Sequence, residues 1–137
     1  MRGIPVGQVS DIKIPTVGFM IRAHERLIEE FGGIPGIRNQ GAVEAQLTRA
    51  DNLIAYKNDP SIYEIAARIG HGLATAHAFA DGNKRIVFTV MVMTLRINGQ
   101  TLDVTGEAAY QIMMRLAKGG LNADELTDWI EHQFQPE

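Results

Sequence analysis

The segment IVFTVMVMTL, residues 86–95, constrains the fold more than any other stretch, because it offers no charged side chain to water. It is about half the ~20 residues that a membrane span requires, so it must be covered by the rest of the protein. Its β-branched residues would suit a buried strand. The surrounding stretch, 84–98, is long for a strand, and Asn98-Gly99 supplies a good helix stop. The reading is a helix, apolar nearly all round, at the centre of the molecule.

The remaining chain supplies the cover as amphipathic helices. Val17, Met20, Ile21, His24, Leu27, Ile28 and Phe31 recur at helical spacing and stop at Gly32-Gly33. The following Ile34-Pro35-Gly36 reads as a turn. A second helix starts near Asn39 with Val43, Leu47, Ala50 and Ile54 inward, and Asn58-Asp59-Pro60 breaks it. Ser61 with Glu64 forms a capping box for a third helix, whose stripe of Ile62, Ile65, Ala66, Ile69, Leu73 and Ala76 runs to about His77. A short extended piece is expected over 100–104. Ala108, Ile112, Met113 and Leu116 mark a fifth helix, stopped by Gly119-Gly120. Asn122 and Glu125 cap a sixth, inward through Leu126, Trp129 and Ile130. The fold class is therefore all-α: a compact single-domain bundle of about six helices, residues 1–137, with a buried central helix.

Composition narrows the function classes. Of 137 residues, 45% are hydrophobic and 21% charged, as in ordinary globular proteins. The 13 basic and 16 acidic side chains leave a net charge of -3, which argues against direct nucleic-acid binding. Arg22, Arg26, Arg38 and Arg49 weight the first half, and the acids of 124–137 read as a solvated helix face. With no cysteine, disulfide and thiolate chemistry are excluded. The first residues lack the unbroken apolar stretch of a signal peptide, so a cytoplasmic protein without membrane association is expected.

Chemistry concentrates in HAFADGNKR, residues 77–85, the link between the third helix and the apolar one. A helix start presents unpaired amides and a partial positive charge, which makes it an anion site. Gly82 lets a bound group approach the backbone. Lys84 and Arg85 oppose the helix dipole there, which suggests an anion that satisfies them, and phosphate is the natural candidate. Arg85 can grip phosphate oxygens bidentately. Asn83 can bond a phosphate or orient the loop. Asp81 is a hard oxygen ligand suited to magnesium. His77, when neutral, can take a proton from an attacking hydroxyl. Phosphoryl transfer needs mainly such positioning and charge stabilisation.

Taken singly, each residue has a plainer role. Asp81 or Asn83 would cap a helix, Phe79 would anchor the loop in the core, and Lys84 and Arg85 would snorkel at its edge. His24, His71 and His132 lack metal-ligand spacing and read as structural or exposed. Neither HExxH nor GxxxxGK[ST] occurs. The coincidence of all these groups at one helix start favours the functional reading.

HAFADGNKR resembles the Fic/Doc signature, H-x-F-x-[D/E/N]-[A/G]-N-[G/K]-R, at every fixed position. The stretches HERLIEEFGGIPGIRNQGAVEAQL and LNADELTDWIEHQF resemble the death-on-curing (Doc) branch. Lysine at position 84 is the Doc choice, where AMP-transferring members usually carry glycine; Thr75 departs from an arginine found near there in Doc. The resemblance implies a toxin of a toxin–antitoxin pair that transfers the γ-phosphate of ATP to a hydroxyl of elongation factor Tu or another translation protein. It implies His77 as the base, Asp81 as the Mg2+ ligand, and Asn83, Lys84 and Arg85 on the nucleotide phosphates beside Gly82. AMP transfer, or a catalytically silent binding scaffold, are the alternatives. Self-inhibited Fic proteins carry an [S/T]-x-x-x-E-[G/N] helix; no glutamate here precedes glycine or asparagine, so a Phd-like antitoxin is expected as the restraining partner.

Overall fold

A computed structural model of the chain describes residues 11–57, 59–79 and 83–134. Among them six helices follow in order: α1 Val17–Phe31, α2 Gln40–Tyr56, α3 Ile62–Ala76, α4 Asn83–Arg96, α5 Gly106–Ala117 and α6 Ala123–His132. Five of the six starts follow from side chains that satisfy the free amides of the first turn. Thr16, Asn39, Ser61, Thr105 and Asn122 each accept a hydrogen bond from the backbone N–H three residues on. Gly32, at φ 81°, ends α1 in a conformation that other residues adopt only with strain.

One local expectation is corrected. Asn122 and Glu125 form the full reciprocal box at α6, but at α3 only the Ser61 half exists. The Glu64 carboxylate instead accepts from Lys57, across the α2–α3 break, and from Arg68 one turn on. Segment 100–104, where a short extended piece is expected, is neither helix nor paired strand, and the one isolated bridge among the described residues joins Ile37 and Phe79. Of the break at 58–60, Asn58 lies outside the described residues, and α2 ends at Tyr56 with Lys57 as its cap.

α3 and α4 form the centre. α3 packs on α2, α4, α5 and α6, and α4 on α1, α3 and α5. From the predicted stripes, Met20, Val43, Leu47, Ile65, Ile69, Leu73, Ile112, Leu126 and Ile130 belong to one core cluster, whereas Phe31 is exposed. α4 buries Ile86, Val87, Val90, Met91, Thr94 and Leu95, and the Thr94 hydroxyl is satisfied by the Val90 carbonyl at 2.7 Å. Close helix contact depends on α3 lacking side chains at two points. A Cβ at Gly70 would sit 2.5 Å from Met91 Sδ, and one at Gly72 would sit 2.0 Å from Gln46 Oε1. Phe88 and Thr89, on the less buried side of α4, open onto a groove.

Candidate active site

The chain between α3 and α4 is held by its own backbone. α3 stops at His77, which adopts the left-handed conformation at φ 48° and ψ 51°. Histidine tolerates that region better than most residues, though at a cost. The next two residues are fastened. The Ala78 carbonyl accepts from Arg38 N at 2.7 Å and Asn39 N at 3.0 Å. Phe79 bridges Ile37, is fully buried, and lays its ring 4.7 Å from that of His24, itself 1% exposed. The Ile34-Pro35-Gly36 turn thus delivers residues 37–39 alongside the loop.

Asn83 closes the loop from the other side. Its Oδ1 accepts from Phe79 N at 3.2 Å, and its Nδ2 donates to Phe79 O at 2.9 Å. Of the two roles open to Asn83, the loop-orienting one is therefore visible in the structure. Asp81 and Gly82 lie outside the described residues.

His77, Asn83, Lys84 and Arg85 line one groove of about 970 Å³. Leu27 and Phe31 from the end of α1 form one side, Val87 and Phe88 line it from α4, and Tyr110 and Met113 of α5 stand among the remaining lining residues. The polar end coincides with the first turn of α4, where the helix dipole is positive. Lys84 and Arg85 are exposed there, and no acid is among the described lining residues. The ion pairs among the described residues lie elsewhere, joining Glu64 to Lys57 and Arg68, and Arg68 to Asp124. Arg85 places its guanidinium carbon 4.4 Å over the Phe31 ring.

The four described candidates thus meet in one place, and the other histidines do not join them. His24 lies beneath Phe79, His71 lines a separate small depression with Gln46 and Arg49, and His132 is exposed on α6. Among the described residues no three His, Cys, Asp or Glu side chains cluster as a metal site. Two participants escape the sequence pattern. Phe31 belongs to the α1 stripe by period, yet it is 54% exposed at the groove rim. Tyr110, 58% exposed, lies off the inward stripe of α5. The groove thus brings an imidazole at one helix end together with an ammonium, a guanidinium and the amides of another helix start. Such a donor set fits a polyphosphate.

The model of the Fic/DOC family matches residues 15–95, which run from Pro15, just before α1, through most of α4 and include 77–85. "Protein kinase doc" of Escherichia phage P1 is 27% identical over 115 residues, covering 84% of this chain and 90% of that protein. "Toxin Doc" of Mycolicibacterium smegmatis is 31% identical over 100 residues, covering 70% of this chain and 76% of that one.

Proposed function

The chain belongs to the Fic/DOC family, on its Doc side, and from that membership we propose that it is a Doc-type toxin moving the terminal phosphate of ATP onto a protein hydroxyl. The observation that carries this reading is the shared groove of His77, Asn83, Lys84 and Arg85. The triphosphate lies at the start of α4, where Lys84 and Arg85 take its oxygens and the dipole favours its charge. The acceptor hydroxyl approaches His77. The imidazole removes the hydroxyl proton as the oxygen attacks the γ-phosphorus, the bond from that phosphorus to the β–γ bridging oxygen breaks, and ADP leaves. Magnesium, held by Asp81 in this reading, would neutralise phosphate charge when bound.

Phosphate transfer is preferred over AMP transfer for two reasons: lysine stands at position 84, and the phage relative bears the name of a kinase. Elongation factor Tu is the proposed acceptor, and a cytoplasmic location is proposed with it. No helix among the described residues is long and apolar enough to cross a membrane. The partner is a Phd-like antitoxin, since the sequence lacks the inhibitory glutamate motif and one relative is named a toxin. Its tail would fold into the groove, whose rim exposes Phe31 and Tyr110.

The test is paired labelling with magnesium, elongation factor Tu and ATP carrying label at the γ or the α phosphate. Label from γ alone, lost in His77→Ala, is the expected result. Label from α makes the protein an AMP transferase, and no label on any protein of a whole lysate makes it a silent scaffold.

A further inference from the structure

We infer that Phe31 is a positioning residue for Arg85, holding its guanidinium ready for the phosphates without neutralising it; the inference rests on the nucleotide reading above. Phe31 stands out on α1. Met20 and His24 of the same helix are 0% and 1% exposed, whereas Phe31 remains 54% exposed at the groove rim. At that exposure Phe31 is not filling the core. What the ring does meet is the Arg85 guanidinium, 4.4 Å from its centroid.

The chemistry of the pair suits an anion site. An arginine is usually fixed by a carboxylate, but a carboxylate occupies the same N–H edge that a phosphate needs, and it cancels the charge. An aromatic face attracts the cation through its quadrupole and leaves the N–H edge free. Among the described residues lining the groove none is acidic, and the contact the structure shows for the Arg85 guanidinium is the Phe31 ring. It also shields one face of the cation from water and restricts a long side chain that would otherwise lose freedom on binding.

The experiment measures affinity for magnesium-ATP and for inorganic tripolyphosphate by calorimetry on the full chain, together with KM and kcat in the labelling assay. Phe31→Leu should weaken both ligands by about 2- to 5-fold, the range expected of an exposed cation–π contact. The loss should appear in KM more than in kcat. Phe31→Tyr should restore wild-type affinity, and Phe31→Trp, with the stronger quadrupole, should equal or exceed it; these two carry the test if Phe31→Leu fails to fold. Wild-type affinity in Phe31→Leu overturns the inference. A loss for ATP but not tripolyphosphate also overturns it, since the ring would then be serving the nucleoside. Wild-type protein that binds neither ligand instead overturns the nucleotide reading, and the inference with it.

Discussion

Replacing His77 by glycine separates what this residue does for chemistry from what it does to the fold. At φ 48° and ψ 51° its backbone is left-handed, a conformation that costs an L-residue roughly 1–2 kcal/mol. Glycine adopts it freely but loses more chain entropy on folding, by roughly 0.5–1 kcal/mol relative to alanine. His77 is exposed and sits at the end of α3, so little packing is lost with the ring. His77→Gly should therefore be more stable than wild type by about 0.5–1 kcal/mol, or roughly 2–3 °C in Tm for a domain of this size. His77→Ala keeps the strain and should melt at or slightly below wild type. Both should lose phosphotransfer, by about 10²- to 10⁴-fold if the imidazole is the general base. Thermal and urea unfolding of the three proteins side by side, with γ-label transfer, give the answer. A glycine variant no more stable than the alanine variant would refute the strain argument, and undiminished transfer in either would refute the base assignment.

Other expectations follow from single contacts. Asn83→Ala leaves the Phe79 N–H and C=O without their side-chain partner and should cost about 1–3 kcal/mol in urea unfolding, with faster hydrogen exchange at the Phe79 amide. Gly70→Ala drives a Cβ to 2.5 Å from Met91 Sδ; overpacking of about 1–3 kcal/mol outweighs the ~1 kcal/mol helix preference of alanine, and in a Met91→Ala background the penalty should vanish. Burial alone would push the Glu64 carboxyl up, but hydrogen bonds from Lys57 and Arg68, with their charges, leave it below its ordinary 4.5. The folded state thus holds its proton less tightly, so the stabilisation is present above pH 4.5 and is lost as pH falls through the lowered value; Glu64→Gln should flatten the acid limb of a melting-temperature profile there. Lys84→Glu should raise stability at low salt by about 0.5–1 kcal/mol, because an anion replaces a cation at a helix start; the gain should shrink at high salt, and nucleotide affinity should fall.

Much of the fold was legible because helical period recurs in every element and capping chemistry agrees with it at α3 and α6. Ser61 and Asn122 sit where a polar side chain can reach the amide three residues on, and the stripes behind them are unbroken. The stretch 84–98 is long for a strand and ends at a helix stop, Asn98-Gly99, and α4 buries six positions of its apolar run. What could not be read depends on competition in space. Glu64 has the spacing for a reciprocal cap, but Lys57, Arg68 and its own α3 amides all seek its charge, and the sequence does not rank them. Phe31 shares the α1 period with Met20 and His24, yet the helix outruns the core at that point, so the period places the residue and misjudges its burial. For the site, the coincidence of groups at 77–85 was visible, as was the resemblance they carry. The division of labour was not: Asn83 reads equally as a phosphate ligand or a loop tie until Phe79 is found within its reach.

The arrangement of the loop makes physical sense as a set of locally unfavourable choices held in place by neighbours. His77 occupies a left-handed conformation, and Lys84 and Arg85 oppose the dipole of the helix they begin. Each would destabilise an isolated segment. The compensation is concentrated between them. Ala78 O takes two backbone hydrogen bonds from residues 38 and 39, Phe79 is bonded at both N and O by Asn83, and its ring is buried against His24. Burial of a phenylalanine ring alone contributes about 1.5–3 kcal/mol, comparable to the strain at His77. The fastening acts on residues 78 and 79, which face the core, and leaves 77, 84 and 85 exposed toward the groove. Strain is therefore carried by the side chains that would meet phosphate and acceptor, and stability by the residues between them. That separation explains why exchanging the exposed members should change chemistry while keeping the fold, and why exchanging Asn83 or Phe79 should damage both.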